Sequence, residues 1–252
     1  MRAIRGTNNR VAQPGPAARK QEAVLGFRVD QRNIARVKRG IAHRLEEKFE
    51  LAIADFSAVI DLPKCPPDLR ATALVERGVT YEQQGKSRPA ISDYSAAINL
   101  PGAPAQKRAS ALCHRGRVYL RKDQIDRAIS DYTAVINMPD ASATTRGLAR
   151  KARGTAYALQ RNFDMAIAEY NTLLEPTDAP AGLRTLVLLE RADAYRQQGK
   201  RKKAISDYNA VINLPETNPR LRALALASRG QLLRVPPRAA EKHAPRDLRG
   251  GL

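Results

Sequence analysis

The chain has no tryptophan, only four phenylalanines, two cysteines and three histidines among its 252 residues. Each shortage closes off a class of protein. Cys65 and Cys113 form neither a disulfide framework nor a zinc spacing. They read as reduced thiols, Cys65 in a connecting loop and Cys113 on a helix, in a reducing compartment. The scarcity of free aromatic rings argues against a surface on which single-stranded bases stack. No window approaches 18 apolar residues, so no membrane insertion is expected. The apolar stretch Ala23-Val24-Leu25-Gly26-Phe27 is too short and too late for a secretory signal, which makes a cytoplasmic location the default expectation.

Catalytic constellations are also missing. His43, His114 and His243 are scattered, and Cys113 and His114 are neighbours whose side chains diverge on a helix. No glycine loop for phosphate and no metal spacing is present. The expectation is a non-enzymatic protein that needs no cofactor.

Positive charge is abundant. Lysine and arginine number 44 against 25 acidic residues, a formal charge of +19. About half of that excess falls outside residues 33–215, in the two ends of the chain. Such a field draws polyanions and acidic proteins without specifying a fold.

The chain is also strongly repetitive. Ala90 to Pro101 (AISDYSAAINLP) returns as Ala128 to Pro139 (AISDYTAVINMP) and Ala204 to Pro215 (AISDYNAVINLP). Weaker copies run from Ala52 to Pro63 and from Ala166 to Thr177, and the five alanines are spaced by 38 residues throughout. Arg39-Gly40, Arg77-Gly78, Arg115-Gly116, Arg153-Gly154, Arg191-Ala192 and Arg229-Gly230 keep the same interval, with His43, Tyr81, Tyr119, Tyr157, Tyr195 and Leu233 four residues beyond each arginine. Unchanged spacing under drifting residues marks one structural unit copied end to end.

Each unit predicts two helices. Ala90, Ile91, Tyr94, Ala97 and Ile98 make the apolar face of one, helix B, which Pro101 stops. The other, helix A, is predicted over Asp68–Gln84; Pro66 and Pro67 precede or open it, and Gly85 ends it. Glycine inside helix A costs roughly 1 kcal/mol against alanine, so its recurrence calls for a packing reason. Close approach of another backbone, with Ala90 on the facing surface, is the simplest one. The arginine of each helix A is matched by an acid in helix B: Asp55, Asp93, Asp131, Glu169 and Asp207. A repeated A-to-B salt bridge is favoured over a basic ladder offered to a ligand.

The order R-G-x-x-Y, turn, A-I-x-D-Y-x-x-A-I-x-L-P resembles the tetratricopeptide repeat, with Gly78, Tyr81, Ala90, Tyr94 and Ala97 at signature positions. The resemblance covers residues 33–235. It implies an all-α fold, a right-handed α-solenoid of antiparallel helix pairs. The units parse as 33–70, 71–108, 109–146, 147–184 and 185–222, followed by a capping helix at 223–235 whose Ser228, Gln231 and Arg234 suit a solvated end. Residues 1–32 and 236–252 read as mobile tails. Two departures stand out: the period exceeds the family's usual value of about 34, and helix B lacks an aspartate before its proline. The four extra residues fit one more turn of helix A.

The resemblance further implies a partner protein, bound as a peptide or helix on a concave face lined by helix A. Positions matching the family's contacts are Val75 and Val79, Cys113 and Arg117, Lys151 and Thr155, and Leu189 and Asp193, with Arg121 and Arg196 bordering them. The family's chaperone-tail clamp, built from lysine and asparagine pairs on successive helices, is absent, because Thr155 replaces an expected asparagine and Glu190 occupies another of its positions. The field favours an acidic partner. The second reading is nucleic acid or another polyanion. Lys200, Arg201, Lys202 and Lys203, at the turn of the fifth unit, form the densest basic cluster for it.

Overall fold

The structure, a computed structural model, describes residues 16–175 and 181–234, with side chains placed from residue 31 onward. These residues form eleven helices and no strand. The all-α expectation holds: helices alternate along the chain as A and B and pack in antiparallel pairs. α1 (Pro16–Leu45) pairs with α2 (Phe49–Ile60) and α3 (Pro67–Gln83) with α4 (Ser87–Asn99); α5 (Ala105–Arg121) and α6 (Ile125–Ile136) follow along the chain. After them come α7 (Ala143–Leu159) with α8 (Phe163–Leu174), α9 (Ala181–Gln197) with α10 (Arg201–Asn213), and the single helix α11 (Pro219–Arg234).

Two compact units result. One holds the described residues up to Val118 together with Met138–Ala141, and the other holds Tyr119–Asn137 and the described residues from Ser142 on. Within each, consecutive helices pack against one another in chain order, the pattern of an α-solenoid.

Three residues join each helix A to its helix B, and the middle one always turns left-handed. Glu47, Gly85, Asp123, Arg161 and Gly199 have φ of 59°, 74°, 57°, 60° and 73°. The backbone closes each turn identically. The amide of Lys86 donates to Tyr81 O at 2.8 Å and that of Gly85 to Glu82 O at 3.0 Å. The same pair of bonds follows His43, Tyr119, Tyr157 and Tyr195. This is the Schellman arrangement, which satisfies carbonyls that a helix end leaves open.

Helix A accounts for the long period. α3, α5, α7 and α9 each have 17 residues, against 12 or 13 in the B helices. All five expected unit boundaries, at 70/71, 108/109, 146/147, 184/185 and 222/223, fall inside helices, because the A helices begin at Pro67, Ala105, Ala143, Ala181 and Pro219. The N-terminal expectation also changes. A helix begins at Pro16, inside the stretch read as a tail. Proline suits a helix's first position, and no further proline interrupts the sequence before Pro63. Residues 1–15 and 235–252 lie outside the described part.

The cores are built from the repeated residues. Ala52, Ala90, Ala128, Ala166 and Ala204 are fully buried, as are Phe56 and the tyrosines Tyr94, Tyr132, Tyr170 and Tyr208 to within 2%. The helix A glycine is explained differently from the expectation. A methyl built on Gly78 would lie 2.6 Å from Cε1 of Tyr94. Gly40 faces Phe56 at 2.7 Å and Gly154 faces Tyr170 at 2.6 Å in the same way. The glycine therefore makes room for the helix B ring rather than for a backbone.

Candidate functional site

The arginines of R-G-x-x-Y belong to the frame. Arg77 donates from Nε and Nη2 to the two oxygens of Asp93 at 2.8 and 2.7 Å, and Arg191 does the same to Asp207. Arg39 and Arg153 hold Asp55 and Glu169. The carboxylates are at most 7% exposed, so the pairing meets the need of a buried charge for a partner. Hydrogen bonds from Arg39 hold Asp55 below the usual carboxylate range, and those to Asp93 and Asp207 raise Arg77 and Arg191.

The same guanidinium also reaches the preceding repeat. Arg77 Nη1 donates to Ser57 Oγ at 2.8 Å, Arg115 to Ser95, Arg153 to Thr133, Arg191 to Asn171 and Arg229 to Asn209. The acceptor always stands two residues after the helix B acid. At Arg77, Arg153 and Arg191 one guanidinium thus ties its own helix pair together and fastens it to the preceding one. The sequence carried this signal as a run of short polar residues at 57, 95, 133, 171 and 209, spaced by the same 38.

The residues matched to family contact positions divide into three groups. Val75 and Leu189 are only 7% exposed and sit inside core clusters with Tyr94 and Tyr208 respectively. Val79 packs against the first of these clusters and Cys113 is half-buried. These side chains serve packing before any ligand. Arg117, Arg121, Asp193 and Arg196 are exposed. Lys151 and Thr155 are half-buried and committed to Glu190.

Glu190, which stands at one of the clamp positions, is a hub. Its Oε1 accepts from Lys151 Nζ, and its Oε2 accepts from Thr155 Oγ1 at 2.7 Å and Tyr170 OH at 3.0 Å. The Lys151 cation is therefore spent on an internal carboxylate, which corrects its reading as a free contact for an acidic partner. Burial, then the neighbouring Glu190 charge, raises the Tyr170 phenol well above its ordinary value. Asp193 accepts from Tyr208 OH at 2.7 Å and from Arg196 Nε at 3.2 Å, and Tyr208 is pushed up to about 12 by burial and that bond.

A groove of about 400 Å³ opens beside this hub. Thr155, Ala158 and Leu159 of α7 form one wall, Glu190, Asp193, Ala194 and Arg196 of α9 the other, and Tyr170 of α8 the floor. Arg161 and Phe163 border it, and Leu159 is 57% exposed. Local charge is nearly balanced, with Lys151, Arg161 and Arg196 against Glu190 and Asp193. The apolar members Leu159, Ala158 and Phe163 are left as anchors.

The first unit carries a related cluster. Glu82 accepts from Tyr94 OH and from Arg117 Nε, both at 2.8 Å, while Arg44 donates to Glu76 at 3.1 Å. His114 stacks on Tyr94 with ring centroids 5.4 Å apart, and burial, then Arg117, lowers its pKa to about 4. In both units an A-helix acid holds the tyrosine hydroxyl of a helix B and a cation from an adjacent A helix. Acid and base lie 35 residues apart at Glu82 and Arg117 and 39 apart at Lys151 and Glu190. Opposite charges near one period apart are the sequence signal for them.

The basic run is not a loop. Lys200 caps α10, and Arg201, Lys202 and Lys203 make its first turn. Lys200 Nζ lies 3.8 Å from Asp164, Arg201 reaches Leu233 O, and Lys203 sits over the Tyr195 ring. His43 lies 4.0 Å from Asp55, and His243 is outside the described residues. Among the described residues no cluster of three or more His, Cys, Asp and Glu side chains could hold a metal. No described helix is long and apolar enough to cross a membrane.

Residues 109–141 and 187–218 match the family model for the tetratricopeptide repeat. Comparison with curated proteins gave no match. Several solved structures are similar in fold. The MamA protein is 20% identical with a TM-score of 0.56, over 71% of this chain and 90% of that one. The C-terminal part of a TPR repeat-containing protein from Cytophaga hutchinsonii is 20% identical, TM-score 0.60, over 78% and 69%. BtubC from P. vanneervenii is 17% identical, TM-score 0.65, over 88% and 91%.

Proposed function

Because the chain carries tetratricopeptide repeats, we propose that it is a protein-interaction scaffold. In this reading it performs no chemistry and holds a peptide or helix of a partner protein on the face lined by its A helices. The groove between α7 and α9 carries the proposal: it is open, floored by Tyr170 and edged by the exposed Leu159. Such a surface offers a few apolar anchors inside a polar rim, the usual distribution of binding energy at an interface. The balanced charges of the groove give an acidic partner no local advantage. The chain's excess of cations speeds encounter with one and sets orientation.

The second reading, polyanion binding, rests on Lys200–Lys203 at the start of α10, where helix polarity also favours an anion. Three of these four cations already have a neighbour within the fold, which weakens it.

A photo-crosslinking residue placed at Leu159, with Ser130 on the exposed side of α6 as the comparison site, tests the scaffold reading. The expected result is one protein captured from position 159 at both low and high salt, and not from 130. Equal capture from both positions, or recovery of nucleic acid with affinity falling by orders of magnitude between about 50 and 200 mM salt, refutes it.

A further inference from the structure

α11 is a helix A without its helix B among the described residues, and the positions that a complete repeat buries stand open on it. Leu74, Leu112 and Leu188 are 5–6% exposed, whereas Leu226, in the same register, is 43% exposed. Ala71, Ala109 and Thr185 are buried; the matching Ala223 is exposed. Tyr81 and Tyr195 pack against core clusters, whereas Leu233 is 57% exposed. Ala223, Leu226, Gly230 and Leu233 lie three or four residues apart and form one apolar stripe. The expectation that polar residues cover this end is therefore not met along the stripe.

Two groups on this face are shaped for a particular occupant. Gly78 and Gly154 meet the helix B ring, but around Gly230 nothing lies within 4 Å of an added methyl. Arg77 and Arg191 give their Nε to the helix B carboxylate. Arg153 holds its acid through Nη2, whereas among the described residues Arg229 bonds only Asn209, through Nη1, and no carboxylate. An aromatic-sized gap thus sits beside an arginine that lacks its acid. At the 38-residue register a sixth helix B would place its acid at 245 and its ring at 246, where the chain has Pro245 and Arg246.

We propose that the open face of α11 is a docking site for an amphipathic helix of a partner protein that presents an acid followed directly by an aromatic ring, in the place of a sixth helix B. The ring fills the gap over Gly230, the carboxylate takes Nε and Nη2 of Arg229, and the helix covers Leu226 and Leu233. This surface is separate from the groove at Leu159, so either site can fail its own test while the other passes.

The test uses the full chain and a fluorescent, lactam-locked helical peptide of the sequence IDRAISDYTAVINMP, residues 125–139. Saturable binding is expected. Replacing Asp131 of the peptide by asparagine or Tyr132 by alanine should each weaken it roughly tenfold. Gly230→Leu and Arg229→Gln in the chain should do the same. Gly230→Leu fills open space and leaves the fold intact, as its melting curve will verify. A photo-crosslinker at Leu226 should label the peptide. Absence of saturable binding, affinity indifferent to Gly230→Leu, or equal binding of a scrambled peptide overturns the proposal. It is equally overturned if the crosslinker labels residues 235–252 or a second copy of the chain to the exclusion of the peptide.

Discussion

Two glycines at the same position of the repeat should respond in opposite directions to one substitution. In Gly78→Leu the new Cβ meets the Tyr94 ring at 2.6 Å, and Tyr94 is fully buried, so the ring has no free space to enter. Overpacking of a filled core costs up to about 3 kcal/mol. Leucine in place of glycine inside a helix recovers about 1, leaving a net loss of about 2 kcal/mol. In a protein of this size that lowers Tm by roughly 4–8 °C. Gly230→Leu has the same propensity gain and no clash, so it should raise Tm by about 2–4 °C. Thermal melts followed by far-ultraviolet circular dichroism, on both variants and the parent, make the comparison. The fifth repeat supports the sense of the argument, since Ala192 already accommodates one methyl beside a fully buried Tyr208; Gly78→Ala should therefore cost less than Gly78→Leu. An unchanged Tm for Gly78→Leu, or shifts of the same sign at 78 and 230, refutes the ring-clearance explanation.

The Arg77–Asp93 pair, 19% and 7% exposed, should behave as a buried ion pair. Asp93→Ala should cost about 3–5 kcal/mol, because it strands the guanidinium. A double-mutant cycle with Arg77→Ala should return a coupling above the roughly 0.2–1 kcal/mol of exposed pairs, and a coupling near zero removes the frame role. His114 gives a pH signature. Its folded pKa of about 4 lies below the unfolded 6.5, so the unfolded state takes up the proton first. Stability is then fully present above about pH 6.5 and declines as pH falls toward 4, by at most about 3 kcal/mol. Arg117, Arg44 and Glu82 surround the ring, and their charges persist when it is replaced. In urea titrations His114→Gln should flatten this part of the stability profile; a parallel profile for the variant counts against a buried neutral imidazole.

Much of this was legible in the sequence because repetition multiplies weak signals. One Ala-Ile-x-Asp-Tyr is a fragment of an amphipathic helix. Five variants of it at a constant 38 residues, each answered by an arginine followed by glycine or alanine, fix helix identity, pairing and the acid–base link between helices. The prolines placed the start of α3 to within a residue, while α11 begins at Pro219, four residues ahead of the expected 223. The left-handed turns were legible only where glycine stood; at Glu47, Asp123 and Arg161 the sequence gives no sign of positive φ.

The sequence by itself determined the period, the order of helices and which residues make the frame, because those depend on local hydrophobic spacing and on partners at constant separation. Tertiary structure decided what each frame residue touches: that the glycine clears a ring, and that the arginines from Arg77 on also hold the repeat before them. It also decided which surface residues remain free. Lys151 reads as an available cation until Glu190, 39 residues away, is seen to hold it, and Val75 reads as a groove residue until its neighbours close over it. Availability depends on what lies across from a side chain in space. That is why the groove at Leu159 and the open face of α11 emerged only from the folded chain.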